Sequence, residues 1–351
     1  MIRFANMRKF LIASISVLFL AVSCTTKFNV GADYKEVTVV YGLLSLADTA
    51  HYIKITKGYF DQKQNNLELA KNPDSLYFNN LAVSMQVLNN GNVVETITLN
   101  RVDLVTEGYI KDAGTFASSP NYAYKFKKNL DASKTYRLRV TNLTSGKEIT
   151  GETSVIGASP SSFRFIQPAD NTEELTFSDP LNPYPFMWRG PAAAVFYDVV
   201  VKFKYQEVNT ITGTAETTYV VKDVPVIMNV LSTGSELSAT LSNVDFFKQL
   251  NSAVGEGSST IKRYIDTPGL QILAGGQELK TYIDVNSAQG GITYDQIKPN
   301  YTNLVGENVF GIFSTRGQIE FSSIKFSPAT IDSIKNGMYT KNLRILGDSD
   351  K

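Results

Sequence analysis

The stretch Leu130-Asp131-Ala132-Ser133-Lys134-Thr135-Tyr136-Arg137-Leu138-Arg139-Val140 decides the first half of the fold. From Tyr136 onward, aromatic or aliphatic residues alternate with arginines. Successive side chains of a β-strand point to opposite faces, so this alternation predicts a strand with one buried and one solvated face. Leu130 lies six residues before Tyr136, at the turn that leads into the strand.

The stretch resembles the tyrosine corner of immunoglobulin-like and fibronectin type III sandwiches, where a tyrosine hydroxyl bonds back to the backbone at the sheet edge. The residues after it fit the same arrangement, because Thr144–Lys147 has hairpin composition and Glu148–Val155 can form a last strand. A generic amphipathic strand is the alternative. Neither interpretation gives Tyr136 a role outside the fold.

The residues before this stretch also have the period of strands. Alternation begins after Val37, and Asn89-Asn90-Gly91-Asn92 has the composition of a hairpin turn. The predicted strands around these signals are Tyr52–Thr56, Leu81–Val87 and Val94–Leu99. The sequence therefore predicts a mainly β protein whose residues 36–157 form an immunoglobulin/fibronectin III-like sandwich.

A second, larger β-rich domain is predicted over residues 161–346, after the Gly/Pro/Ser-rich break at 157–162. Ser242 can cap a helix in which Val244, Phe247, Leu250 and Val254 form an apolar stripe. A short helix is also predicted over Ala329–Lys335. The predicted strands of this domain are Tyr197–Gln206, Lys262–Ile265, Leu270–Leu273, Thr281–Val285, Val309–Phe313 and Gln318–Phe326.

Residues 1–23 have the layout of a signal peptide, with basic residues followed by Phe10–Val22, a mainly apolar run of 13 residues. That run is shorter than the roughly 20 residues that a membrane-spanning helix needs. Ala21-Val22-Ser23-Cys24 resembles a bacterial lipobox, although this motif most often has leucine at the position of Ala21. We therefore expect acylation of Cys24, attachment to a lipid bilayer, and a tether over residues 24–35. An ordinary cleaved signal peptide is the alternative.

Composition narrows the choice of partners. Removing residues 1–23 takes away three basic residues and leaves 31 basic against 33 acidic ones. A nearly neutral body argues against nucleic acid as a partner, because nucleic acid demands a basic field. Cys24 is the only cysteine, so no disulfide is expected, and no motif in the sequence predicts a cofactor or a metal.

The stretch Tyr301–Phe313 resembles the closing motif of uncharacterised Bacteroidota outer-membrane lipoproteins, with Thr302-Asn303, then Gly306, then Gly311-Ile312-Phe313. Trp188 before the Tyr197–Tyr205 strand, and Phe246-Phe247 in the predicted helix, agree with the same group. The resemblance implies an immunoglobulin-like first domain, a β-rich second domain and an outer-membrane location. Members are often encoded beside TonB-dependent transporters, which implies a β-barrel transporter or another envelope protein as partner. The group provides no catalytic residues.

Three sets of residues were candidates for chemistry. His51 is the only histidine, and without a Gly-x-Ser-x-Gly elbow it predicts no catalytic triad, so we expect it to be exposed or at a strand edge. Acids in a loop could bind calcium but lack the spacing of a calcium loop. Those acids are Asp170, Glu173, Glu174 and Asp179. A carboxylate pair of a hydrolase cannot be recognised from sequence spacing.

Tyr184, Phe186 and Trp188 lie between prolines, which can hold aromatic rings on a surface for glycan or peptide binding. The alternative places Phe186 and Trp188 in the sandwich core. Three Asp-Ser/Thr-apolar triplets resemble the O-glycosylation acceptor of exported Bacteroidota proteins. Their acceptor residues are Thr49, Ser75 and Ser333.

The sequence thus favours a non-enzymatic outer-membrane lipoprotein that acts as an accessory or binding partner of a TonB-dependent type transport complex. A surface glycan-binding lipoprotein that uses Tyr184, Phe186 and Trp188 is the first alternative. A carboxylate-dependent hydrolase is the second. The sequence does not decide on which face of the outer membrane the protein lies.

Overall fold

The computed structural model describes residues 37–58, 66–157, 163–169, 173–178, 182–209, 217–287 and 301–347. The strands of the first half are β1 (Val37–Leu44), β2 (Ala50–Gly58), β3 (Leu81–Asn89), β4 (Asn92–Thr98), β5 (Asn100–Asp103), β6 (Tyr122–Lys127), β7 (Thr135–Asn142) and β8 (Glu148–Ser154). Two short helices, α1 (Asn66–Lys71) and α2 (Pro73–Leu76), lie between β2 and β3. The sequence analysis did not predict them.

These strands form a sandwich around one core. One sheet has the order β4-β3-β7-β8, and the strands β1-β2-β6-β5 run side by side in the other. The alternating residues of both sheets meet in a buried cluster that includes Val40, Ile53, Met85, Tyr136 and Leu138. This arrangement confirms the predicted immunoglobulin/fibronectin III-like sandwich.

The tyrosine corner is confirmed at Tyr136. Its side chain is fully buried, and its hydroxyl accepts a hydrogen bond from the backbone N–H of Asp131 at 2.7 Å. The predicted turn between β3 and β4 is confirmed as well, with Asn90 and Gly91 both at positive φ, 49° and 80°. Two consecutive residues at positive φ are typical of the tight hairpin turn that matches the twist of the strands.

The second half contains eleven strands, three α-helices and a short 3-10 helix (Lys341–Leu343) within its described residues. The strands are β9 (Arg164–Gln167), β10 (Glu174–Leu175), β11 (Tyr184–Arg189), β12 (Phe196–Asn209), β13 (Thr217–Leu231), β14 (Glu236–Leu241), β15 (Ile261–Ile265), β16 (Gly269–Gly275), β17 (Val309–Phe321), β18 (Lys325–Phe326) and β19 (Ile345–Leu346). The helices are α3 (Asn243–Val254), α4 (Gln277–Ser287) and α5 (Pro328–Asn336).

Aromatic rings fill the core of this second half. Phe177 stacks on Phe246 of α3 at a centroid distance of 3.9 Å, and Trp188 of β11 meets Tyr197 of β12 edge to face. Ser242 caps α3 by accepting a hydrogen bond from the N–H of Asp245. The predicted helices over 242–254 and 329–335 are therefore confirmed, and the chain is mainly β throughout its described residues.

Three of the predicted strands in this half are wrong in type or extent. Thr281–Val285 lies within helix α4, although its β-branched residues favour a strand. The helix is consistent with Leu279, Tyr282 and Ile283, which recur at helical spacing, and with an ion pair between Lys280 and Asp284. The strands predicted at 309–313 and 318–326 are one continuous strand, β17, followed by the separate β18.

Strand β17 joins the two halves in one sheet. Its first part, Val309–Thr315, pairs parallel with β1 of the sandwich. Its second part, Arg316–Phe321, pairs antiparallel with β16. The resulting ten-stranded sheet runs in the order β19-β15-β12-β16-β17-β1-β2-β6-β5, and β13 pairs with β12 outside this path.

The segment before β17 closes the open side of the sandwich. Val305 exchanges two backbone hydrogen bonds with Thr150 of β8, so the chain touches one sheet before it pairs with β1 of the other. Leu304, Val309 and Phe313 enter the core of the first half. The first sandwich is therefore completed by residues that the domain prediction assigned to 161–346.

The closing motif at 301–313 is explained by this packing. The side-chain amide of Asn303 bonds both backbone groups of Phe313, donating to its carbonyl at 2.6 Å and accepting from its N–H at 3.0 Å. Gly311 has φ of 98°, and a Cβ there would lie 2.0 Å from the carbonyl oxygen of Val40. The motif residues hold β17 against β1.

Candidate functional site

The outward side of the sheet β17-β1-β2-β6 carries an unusual number of exposed apolar side chains, and we call it the outer face. Val40 and Leu44 of β1 point into the core, whereas Tyr41 and Leu43 point outward and are 44% and 38% exposed. Phe310 of β17 lies beside them and is also exposed. Because one side of this strand packs on the core, the apolar side chains on its other side can contact a ligand or another protein.

Gly42 allows this strand to lie close to the core beneath it. A Cβ at position 42 would approach Ile53 Cδ1 to 2.6 Å and a ring carbon of Phe313 to 3.0 Å. The absence of a side chain therefore lets β1 pack tightly on the buried side, while Tyr41 and Leu43 stand on the other.

Two clefts open on the outer face, and the ring of Tyr41 lines both of them. The first, which we call the tyrosine cleft, has a volume of about 540 Å³. Its wall includes Tyr41, Leu43, Tyr52, Tyr109 and Tyr282. The second, which we call the lysine cleft, has a volume of about 670 Å³.

Pairs of rings build the tyrosine cleft. Tyr41 and Tyr282 of α4 meet edge to face, with their hydroxyls 3.0 Å apart. Burial raises the pKa of Tyr282 to about 12, so its hydroxyl stays protonated at neutral pH. On the opposite side, Tyr52 meets Tyr109 edge to face at a centroid distance of 5.4 Å.

A turn after β5 places Tyr109 over the sheet. The carboxylate of Asp103 accepts hydrogen bonds from the N–H groups of Val105 and Asn121, and the N–H of Tyr109 donates to the carbonyl of Leu104. Gly108, at φ of 92°, provides the reversal that the turn needs. The ring of Tyr109 is consequently held over Tyr52 and is still 55% exposed.

Charged pairs surround the tyrosines. Arg316 of β17 pairs with Asp48 at 3.1 Å. Glu107 accepts hydrogen bonds from Lys125 and from the hydroxyl of Tyr52, and the Lys125 ammonium holds the pKa of Glu107 below its usual value. Glu107 therefore stays charged at neutral pH, and the tyrosine cleft combines an aromatic centre with an ion-paired rim.

The lysine cleft lies at the other side of Tyr41, between β2, the two short helices and the loop 111–117. Lysines 54, 57 and 111 line it together with Val39, Leu76, Tyr77 and Phe116. Phe116 is 52% exposed. Of the residues that line the two clefts, the sequence analysis considered only His51 as a functional candidate, and it predicted neither cleft. The available signal was the run Val37–Leu44, which is apolar on both strand faces instead of alternating.

The predicted aromatic platform is wrong. Phe186 and Trp188 are fully buried and Tyr184 is nearly so, and all three belong to the core of the second half. Burial raises the pKa of Tyr184 to about 12. Their alternation with outward Pro185, Met187 and Arg189 on β11 directs the rings inward, as the alternative interpretation predicted.

His51 is not at the surface, contrary to expectation. It lies within the sheet on β2, is 2% exposed, and stacks on Phe126 at a centroid distance of 4.8 Å. Its Nε2 is 3.0 Å from the carbonyl oxygen of Lys128. Burial lowers the pKa of His51, so the ring is neutral at pH 7.

The remaining predicted sites are dispersed. Glu173 accepts a hydrogen bond from the N–H of Ala169 and Glu174 is exposed on β10, whereas Asp170 and Asp179 lie outside the described residues. Within the described ranges, no three His, Cys, Asp or Glu side chains come together as a metal site. Cys24 also lies outside them.

Thr49 is exposed, and Ser75 and Ser333 are half-buried. Their glycosylation stays a prediction. Among the helices that the structure describes, none is long and apolar enough to cross a bilayer.

Comparisons with known proteins do not assign the chain to a family. No protein-family model and no curated protein matches the chain. One similar solved structure is the C-terminal globular domain of an oligosaccharyltransferase from Pyrococcus abyssi, at 9% identity and a TM-score of 0.20, over 82% of this chain and 46% of that one. Another is CBD12 from CALX1.2, at 11% identity and a TM-score of 0.18, over 82% of this chain and 100% of that one. This chain thus spans less than half of the first structure's length.

Proposed function

We propose that this chain is a non-enzymatic outer-membrane lipoprotein that binds an envelope protein through its tyrosine cleft. The partner that fits best is an outer-membrane β-barrel transporter of the TonB-dependent type. The tyrosine cleft, with exposed Tyr41, Leu43 and Tyr109 inside an ion-paired rim, is the observation that carries the proposal.

The chemistry of the cleft supports protein contact. Protein interfaces are enriched in tyrosine at their centre and are polar at the rim, because a tyrosine buries a large ring at low entropic cost and still offers a hydroxyl. The rim pairs Arg316–Asp48 and Lys125–Glu107 have both partners satisfied within the chain. A partner therefore gains the apolar area of the rings without having to neutralise a charge at the rim.

The anchor supports an envelope location. Acyl chains on Cys24 would hold the protein at a membrane surface, since each buried CH₂ contributes about 0.8 kcal/mol. The tether of residues 24–35 would leave the first sandwich close to that surface, and this sandwich provides Tyr41, Leu43 and Tyr109 of the tyrosine cleft.

Recovery of the partner from membranes tests the proposal. Cells fed radiolabelled palmitate express the full chain with a C-terminal affinity tag, and the chain is recovered from solubilised membranes. Three variants are compared with the wild type: Cys24→Ser, Leu43→Glu and Val94→Glu. Val94 is the matched control, because it is an exposed aliphatic residue on a strand of the opposite sheet.

The wild type should carry label and recover a large β-barrel protein. Cys24→Ser should carry no label and leave the membrane fraction. Leu43→Glu should keep the label but recover at least about tenfold less barrel protein than the wild type, equivalent to about 1.4 kcal/mol of binding free energy. Val94→Glu should recover as much barrel protein as the wild type. An unlabelled wild type, or a Leu43→Glu variant that recovers as much barrel as the wild type, would overturn the proposal.

A further inference from the structure

The lysine cleft collects positive charge in an apolar setting. The side chains of Lys54 on β2 and Lys111 in the loop after β5 line it from two sides, and Lys57 lies further along β2. Lys54 is half-buried, which is unusual for a lysine outside an ion pair. Its burial means that water is partly excluded from the ammonium.

Neutral oxygen atoms are the acceptors of all three ammonium groups. Lys54 donates to the hydroxyl of Tyr77 at 3.2 Å and to the side-chain oxygen of Asn121. Lys57 donates to the carbonyl of Asp74, and Lys111 donates to the carbonyl of Ala117. Within the described part of the chain, none of the three lysines forms a salt bridge.

Asp103 is the described carboxylate whose charge acts on Lys54, but the two form no salt bridge. The Oδ1 of Asp103 accepts the N–H groups of Val105 and Asn121 instead. Burial, and after it the neighbouring charge of Lys111, lowers the pKa of Lys54 to about 8. Burial also raises the pKa of Tyr77, which stays a neutral hydroxyl. Among the described residues, Lys54 and Lys111 therefore line the cleft without a salt-bridged carboxylate.

Most of the remaining wall is hydrocarbon and aromatic. Val39 and Tyr41 come from β1, Ala70 and Leu76 from the two short helices, and Phe116 from the loop. The volume of about 670 Å³ lies in the range of about 300–1,000 Å³ that is typical of small-molecule sites. Such a site takes a ligand whose greater part is apolar.

We propose that the lysine cleft binds a small anionic amphiphile, with its carboxylate between Lys54 and Lys111 and its hydrocarbon part between Tyr41, Leu76 and Phe116. A carboxylate there would receive charge-assisted hydrogen bonds from two ammonium groups and relieve their mutual repulsion. This goes beyond docking through the tyrosine cleft and does not depend on it.

Equilibrium dialysis with radiolabelled decanoate tests this inference. The full chain is held in lipid nanodiscs, and retention by empty nanodiscs is subtracted. Decylamine and decanol serve as cationic and neutral ligands with the same hydrocarbon chain. The cleft variant is Lys54→Met with Lys111→Met, and its matched control is Lys222→Met with Lys262→Met in the second half.

A second variant guards against loss of folding in the first. Thr115→Glu adds a negative charge at the exposed lip of the cleft while leaving the lysines in place, and Thr115→Gln is its neutral counterpart. The fluorescence of the single tryptophan, Trp188, reports whether each variant has a native core.

The wild type should retain decanoate in preference to decanol and exclude decylamine. Affinity for decanoate should fall at least about tenfold in the double lysine variant and in Thr115→Glu. It should be unchanged in Thr115→Gln and in the control pair. Failure of the wild type to retain decanoate, equal retention by Thr115→Glu, or equal retention of decylamine would overturn the inference. Leu43→Glu should bind decanoate normally even where it loses the barrel, which separates this test from that of the proposed function.

Discussion

A single hydroxyl, that of Thr315, connects three segments of the chain. Thr315 is 2% exposed, and its Oγ1 donates to the carbonyl of Leu44 at the end of β1 and accepts the N–H of Ile156 after β8. Both partners belong to the first half, whereas Thr315 lies in the middle of β17. Because a buried polar group without a partner costs about 1–3 kcal/mol, this threonine fixes where β17 crosses from one half to the other.

His51 makes the stability of the protein depend on pH in a defined direction. Phe126 stacks on the ring, the Lys128 carbonyl accepts from it, and Asp48 is the charge that acts on it. Burial is the largest influence and lowers the pKa of His51 below 6.5 in the folded state. The unfolded state therefore takes up this proton first as the pH falls, and folding stability drops below about pH 6.5.

Urea unfolding of wild type and His51→Gln measures this contribution. As the pH is lowered from about 7.5 to about 5, the wild type should lose more free energy of unfolding than the variant, by at most about 1.4 kcal/mol per pH unit. The carboxylates titrate in both proteins and cancel in the comparison. Parallel pH profiles for the two proteins would contradict a buried neutral histidine.

Some residue roles could be predicted from the sequence and others could not, for a physical reason. Tyr136 and Ser242 interact with backbone groups within five residues, so local spacing was sufficient. Lys54 and Lys111 come together only through the pairing of strands and the course of a loop. A cleft made from segments far apart in sequence leaves no local period to detect.

At the scale of elements, β17 is the strand on which the two halves depend. It pairs parallel with β1 and antiparallel with β16, and the change occurs between Thr315 and Arg316. The sequence analysis predicted two separate strands here, which left Ser314-Thr315-Arg316-Gly317 as a break between them. Buried Ser314 and Thr315 continue the strand instead, since their backbone groups pair on both sides of the change.

Gly311 allows the close approach of β17 to β1. Gly311→Ala should lower the free energy of unfolding by at least about 2 kcal/mol, because the added Cβ would collide with the Val40 carbonyl in addition to the cost of positive φ. Gly146→Ala is the matched control, since Gly146 has φ of 72° but open space around it. Its cost should be about 1 kcal/mol.

Urea denaturation followed by circular dichroism gives both values. Equal losses in the two variants would mean that backbone conformation alone matters at Gly311. The tight packing of β17 on β1 would then be contradicted.

At the scale of the molecule, the predicted two-part β architecture is confirmed, but the two parts share a core and a sheet in addition to the chain that connects them. The first core takes Leu304, Val309 and Phe313 from the C-terminal part of the chain, and one sheet runs through both halves. The closing motif at 301–313 was found from its residues, but its partner strand β1 lies more than 260 positions earlier. Such long-range pairing is what the sequence alone left undetermined.

This architecture also determines which surface is available. The second half covers part of β17 with α4, whose Tyr282 touches Tyr41, and leaves Tyr109 and Leu43 exposed beside it. The tyrosine cleft therefore contains residues from both halves, and the proposed partner would meet a surface that exists only when both are folded together.

Photocrosslinking in living cells tests this docking surface most directly. A benzoylphenylalanine replaces Tyr109 at the cleft or, as the control, Tyr219 on β13, which is an even more exposed tyrosine of the second half. The account predicts a discrete adduct with an outer-membrane β-barrel protein from position 109 and none from position 219. No adduct from position 109, or the same adduct from both positions, would contradict it.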